Sequence, residues 1–209
     1  NFGKCRVKNE SIGHGSHQLS RGEAQRVKLA TILGRGDAEP SLLLLDEPDR
    51  GLHPSDVERL LAAIDAMVDA GHTVLAISHH RHLWAAADVR TEVHDGIAIH
   101  DVPFRPGDDV ARRAPRPPVP PPACIALRGV TTHGLHGVDV DFPHGALIAV
   151  AGGSGSGKSS LVFDTLAAEA WHRFSESLPF SVRQQVRRQV RPDLEHADGL
   201  TPVISLRQG

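Results

Sequence analysis

Residues 152 to 159 read Gly-Gly-Ser-Gly-Ser-Gly-Lys-Ser, a complete GxxxxGK[ST] pattern. No other stretch restricts the architecture as much. The pattern works where a buried strand ends, a glycine-rich turn follows, and a helix opens. Successive backbone N–H groups then turn inward around phosphate oxygens at the positive end of the helix. The flanks meet that demand, with an apolar run at 146 to 150 and a helix predicted from about Lys158. Gly152, Gly153, Ser154, Gly155, Ser156, Gly157, Lys158, Ser159 and Ser160 are therefore candidate nucleotide-binding residues. Lys158 is predicted to reach the β and γ phosphates, and the Ser159 hydroxyl to bind Mg²⁺.

The rest of the chain alternates between helical and extended patterns. A helical face at 23 to 33 carries Ala24, Val27, Ala30 and Leu33, with Gly34 as its stop. The run at 41 to 45 reads as a fully buried strand. Val57, Leu60, Leu61, Ile64 and Val68 mark a second helix ended by Gly71. Another buried strand is expected at 73 to 78, and Asp95-Gly96 sits between two extended runs as a hairpin signal. Strands are also expected at 124 to 130 and 138 to 142. This order predicts an α/β fold with mostly parallel strands flanked by helices, and a small antiparallel part.

Eight of the 15 prolines fall between 103 and 122, so 103–123 is predicted to be an extended linker. At about 3.1 Å per residue it could span on the order of 60 Å. The two flanking segments are 1–102 and 124–209.

Asp46 and Glu47 close the apolar run Leu42-Leu43-Leu44-Leu45. A carboxylate just past a buried parallel strand stands where open α/β sheets place ligand groups. Asp46 is a candidate Mg²⁺ ligand through water, and Glu47 a candidate to orient or deprotonate an attacking water. Ser20 and Glu23 form an S-x-x-E capping box, which at its simplest is a well-capped helix start. Read further, Ser20, Gly22 and that helix N-terminus make a second phosphate-binding surface.

Residues 19 to 30 (LSRGEAQRVKLA) resemble the signature motif of ABC-type ATPases, in the form typical of the UvrA family. Residues 46 to 56 (DEPDRGLHPSD) are similar to that family's Walker B and D-loop segment. His79, in Ile77-Ser78-His79, falls at the switch histidine, expected to sense the γ-phosphate. Beyond the linker, 155 to 169, Glu176-Ser177-Leu178 and 198 to 208 are similar to the first UvrA nucleotide-binding domain, with Gln208 at the Q-loop glutamine. The sequence departs from the family at Arg21, where a glycine is usual, at Asp49-Arg50 in place of Thr-Thr, and at Ser78 in place of an acid.

The resemblance implies a P-loop NTPase of ABC type that uses ATP and Mg²⁺ in recognising damaged DNA during nucleotide excision repair. It also implies a homodimer, a helicase-like UvrB-type partner subunit, DNA contact through a longer parent, and a cytoplasmic location. Two other readings stay open: a nucleotide-binding paralogue serving antibiotic self-resistance, and the ATPase of a transporter.

Motif order is unusual. Within one ABC domain the P-loop precedes the signature, Walker B and switch histidine, whereas here it follows them. Two arrangements satisfy this. Either 1–102 is the C-terminal half of one nucleotide-binding domain and 124–209 the N-terminal half of the next, or the halves close together as one permuted domain. The first leaves Asp46 and Glu47 serving a P-loop outside the chain. The leading Asn1 suggests a processed chain or a piece of something longer.

Composition narrows the alternatives. With 40% apolar and 23% charged residues the chain is an ordinary globular sequence, and its net charge of -2 excludes a wholesale basic coat. Cys5 and Cys124 are too few for a cysteine zinc site or a disulfide framework, so no zinc ligands are expected within the chain. No apolar run reaches the roughly 18 residues of a membrane helix. The tract His79, His80, His82 lacks partners at ligand spacing. Arg183, Arg187, Arg188 and Arg191 read as a solvated basic helical face.

Overall fold

Leucines 42 to 45 are all fully buried in strand β1 (Leu42–Asp46). Successive side chains of a strand point to opposite faces, so four leucines in a row require a sheet covered on both sides. The computed structural model, which describes residues 39–103, 124–185 and 190–207, supplies both covers. Leu43 and Leu45 pack with Leu60, Ile64, Met67 and Val68 of helix α1 (Pro54–Asp69) and Leu83 of α2 (Arg81–Ala86). Leu42 and Leu44 face the opposite cluster, with Ile125, Val140, Phe142, Leu161 and Leu166. Truncation of Leu44 to alanine is expected to cost about 2–5 kcal/mol, measured as a fall in the urea midpoint at constant m-value.

Six strands form the main sheet, in the order β4-β3-β7-β2-β1-β9. These are β1, β2 (Thr73–Ile77), β3 (Val89–His94), β4 (Ile97–His100), β7 (Leu147–Ala151) and β9 (Val203–Leu206). All pairings are parallel except β3–β4, the hairpin expected around Asp95-Gly96. Asp95 and Gly96 both have positive φ (46° and 76°), the two left-handed residues a type I′ turn requires. A second, antiparallel sheet has the order β6-β5-β8, from β5 (Cys124–Val130), β6 (Val138–Pro143) and β8 (His196–Asp198). Mostly parallel sheet, flanking helices and a small antiparallel part are thus all present.

Strands from the two sides of the proline-rich stretch interleave. β7 pairs with β2 in the register Val74–Leu147 through Ile77–Val150, and with β3 from Val89–Ile148 to Glu92–Ala151. β9 pairs with β1 from Leu42–Val203 to Leu45–Leu206. Asp46, the last residue of β1, and Glu47 just after it thus stand at the end of a strand in the same sheet as the P-loop strand β7.

The helix after the P-loop starts at Lys158, winds as a π-helix over Ser160–Ala167, and continues as α3 (Ala168–Ser177). The Thr165 hydroxyl donates to the Ser160 carbonyl at 2.8 Å inside the wide turn. A four-residue helix, α4 (Phe180–Arg183), follows.

The predicted basic helical face does not form as read. The helix ends at Arg183, whose guanidinium donates to the carbonyls of Glu176 and Leu178, and Arg191 lies in irregular chain. Arg187 and Arg188 lie outside the described residues, as do the predicted 23–33 helix and the chain from 104 to 123. Among the described residues no helix is long and apolar enough to cross a membrane.

Candidate nucleotide site

The sequence-predicted residues converge because their strands are parallel. β1, β2 and β7 deliver Asp46-Glu47, His79 and the P-loop to one edge of the sheet, outside the strands' carboxyl ends. β9 runs parallel beside β1 and ends at Leu206, two residues before Gln208. Gln208, Ser20 and Gly22 themselves lie outside the described residues.

The P-loop leaves β7 at Gly152, where a side chain has no room. A Cβ there would sit 2.1 Å from the Val93 carbonyl oxygen of β3, with the backbone at φ +148°. The turn is held from behind as well. The Gly96 N–H at the hairpin tip donates to the Ser156 carbonyl at 3.0 Å, and the His136 N–H donates to the Gly96 carbonyl at 2.9 Å. Besides turning the chain, Asp95-Gly96 therefore fixes one peptide of the phosphate loop, a role its turn chemistry does not reveal.

Lys158 is largely buried, and its ammonium donates to the carbonyls of Gly152 and Gly153, each at 2.7 Å. Burial lowers its pKa below the usual lysine value, while the carboxylates of Glu47 and Asp46 push it back up. The Ser156 hydroxyl is buried without a hydrogen-bond partner among the described residues. Ser159 is exposed at the helix start, and Ser154 and Gly155 are exposed on the turn. A turn with no room for a Cβ at Gly152, a buried lysine, an unmatched buried hydroxyl and an exposed serine at the helix start fit a nucleotide phosphate with Mg²⁺.

Glu47 stands at φ +43°, and its N–H donates to the Ile77 carbonyl at 2.9 Å, which ties the acidic corner to the end of β2. From that end Ser78 donates its N–H to the Val150 carbonyl at 3.1 Å, and the exposed His79 follows. His80 acts locally, its ring accepting from the His82 N–H as the N-cap of α2.

Arg50 belongs to no motif that marks it as a site residue, yet its guanidinium pairs with Glu47 at 2.8 Å. Arg207 pairs with Asp164 at 2.9 Å and lies 4.6 Å over the Phe163 ring, which anchors the chain just before Gln208. In sequence, Asp164 and Arg207 are merely two charges far apart.

Comparison with known proteins gives the same assignment. Residues 16–83 match a family model described as "AAA domain, putative AbiEii toxin, Type IV TA system". The UvrABC system protein A of Chlamydia trachomatis is 34% identical over 94% of this chain and 12% of its own length. The protein of the same name from Mycobacterium bovis is 34% identical over 92% of this chain and 22% of its own. That from Staphylococcus aureus is 31% identical over 95% and 22%. A solved structure, UvrA2 from Deinococcus radiodurans, is 32% identical, covers 75% of this chain and 21% of that one, and superposes with a TM-score of 0.38. The chain therefore spans between 12% and 22% of the length of these curated relatives. By its motifs, its sheet and its sequence identity, the chain belongs to the UvrA family of ABC-type ATPases.

Proposed function

We propose that this chain is the ATP-binding and hydrolysing portion of a UvrA-type protein that recognises damaged DNA in nucleotide excision repair. The observation that carries the catalytic part is that parallel strands bring the P-loop, with its buried Lys158, and Asp46-Glu47 to the same end of one sheet. In this reading the N–H groups of 153 to 159 and the Lys158 ammonium hold the phosphates. Ser159 and Asp46 would hold Mg²⁺, which when bound supplies charge neutralisation on the phosphate oxygens. Glu47 takes the proton of the attacking water, and His79 contacts the γ-phosphate side. Ser20, Gly22 and Gln208 complete the phosphate and Mg²⁺ contacts. Catalysis is then mostly positioning and electrostatics, as phosphoryl transfer demands.

The interleaved sheet supports reading 1–102 and 124–209 as complementary halves of ABC nucleotide-binding domains joined by the 103–123 linker. The UvrB-type partner, the homodimer, the DNA contact and the cytoplasmic location belong to the parent protein in this proposal.

The two parts are separable by experiment. Glu47→Gln is expected to bind ATP with unchanged affinity while turnover falls about a hundredfold to ten-thousandfold. Wild-type turnover in that variant would remove Glu47 from the chemistry. For the repair role, ATP-dependent binding of the parent to intact and lesion-bearing duplex is compared. Equal binding would end the repair reading and leave the ATPase standing.

A further inference from the structure

Glu47 is paired with a cation, Arg50. The chain after β1 folds back so that the Arg50 N–H donates to the Glu47 carbonyl at 3.0 Å, and the Arg50 Nη1 donates to Glu47 Oε2 at 2.8 Å. Backbone and side chain thus bind the same two residues together, on a corner already committed by Glu47's left-handed φ of +43°. The related family usually carries threonine at position 50, whose hydroxyl stands two bonds from Cα and lacks a charge. Arginine reaches the carboxylate and offers it a charge-assisted hydrogen bond.

We infer that Arg50 is a positioning residue that restrains Glu47. The inference rests on Glu47 acting on the attacking water. While Oε2 accepts from the guanidinium, the carboxylate is held in one orientation and the adjacent positive charge lowers its basicity. Its full affinity for a water proton returns when the pair opens. Both side chains are partly in solvent, Arg50 at 71% and Glu47 at 33% exposure, so opening is frequent and sensitive to salt. Arg50 therefore sets the fraction of time in which Glu47 is available, without touching the nucleotide.

The test is the turnover of Arg50→Thr in the full chain at saturating Mg-ATP, from low to high KCl. The variant is expected to turn over about two- to fivefold faster than wild type at low salt, the range an exposed ion pair supports. Its KM should be unchanged, and Arg50→Lys should fall between. Added KCl should raise the wild-type rate relative to that of Arg50→Thr, closing the gap. A variant no faster than wild type, or a gap indifferent to salt, overturns the inference. A second readout is independent of hydrolysis and separates this idea from the functional reading beneath it. Without nucleotide, the side-chain Nη–H resonance of Arg50 is expected to move in Glu47→Gln and with added KCl. A resonance that stays in place means the pair does not form, and the restraint falls even if the ATPase stands.

Discussion

Lys158→Ala is expected to reduce ATP turnover about a hundred- to a thousandfold, the scale on which removal of one preorganised donor acts. The lysine now donates to the Gly152 and Gly153 carbonyls, so it must leave both to reach a phosphate. Its nitrogen is held over the loop by neutral carbonyls, contacts weaker than those the anionic β and γ phosphates offer, which makes the exchange favourable. The two glycines lie at partly or fully exposed positions, where water can replace the ammonium. The fold should therefore survive the change. Calorimetric titration with ATP and thermal unfolding on the same sample separate the outcomes. Lost affinity at a near-constant Tm is expected; unaltered affinity would show that the lysine serves only the loop.

Gly152→Ala is expected to be worse for the fold than for any single contact. Its new methyl would lie 2.1 Å from the Val93 carbonyl, a backbone atom in a strand paired on both sides. Neither partner can withdraw without breaking ladder hydrogen bonds, and the φ of +148° is strained for any side chain. A loss of about 2–4 kcal/mol, together with ATP binding, is the expected result in urea unfolding and nucleotide titration. Gly155→Ala is the control. It shares a positive φ, +76°, but a Cβ there meets nothing within 4 Å, so its cost should be only about 1–2 kcal/mol. Equal losses in the two variants would mean that backbone strain, and not the Val93 contact, sets the requirement for glycine.

These experiments address parts of the molecule that differ in how openly the sequence declares them. The strand-turn-helix around Lys158, the buried run at 42 to 45 and the Asp95-Gly96 hairpin each carry their own local chemistry, and each forms as expected. β8 and β9 carry little. His196–Asp198 is three residues long, and Val203–Leu206 becomes a strand because β1 offers it a parallel edge. Local periodicity contains no such information. The same holds for the site. Asp46 and Glu47 are candidates because carboxyl ends of parallel strands collect ligands, and His79 only through the family resemblance, whereas the Arg50–Glu47 pair depends on a φ sign that arginine's identity does not reveal. The support that Gly96 gives Ser156 crosses sixty residues, and no pattern in either segment announces it.

The interleaving of strands has a consequence for how the chain acquires its shape. β2 and β3 are separated in the finished sheet by β7, which is made much later in the sequence. A nascent chain that has released β1 through β4 still lacks the strand that joins β3 to β2. The ladder between them closes only after residue 151 becomes available, and β1 keeps an open edge until Val203–Leu206 arrives. Folding therefore cannot advance vectorially from the first strand to the last. It must wait for a distant segment to insert at the centre, the kind of non-local pairing that slows folding and leaves hydrophobic strands exposed meanwhile.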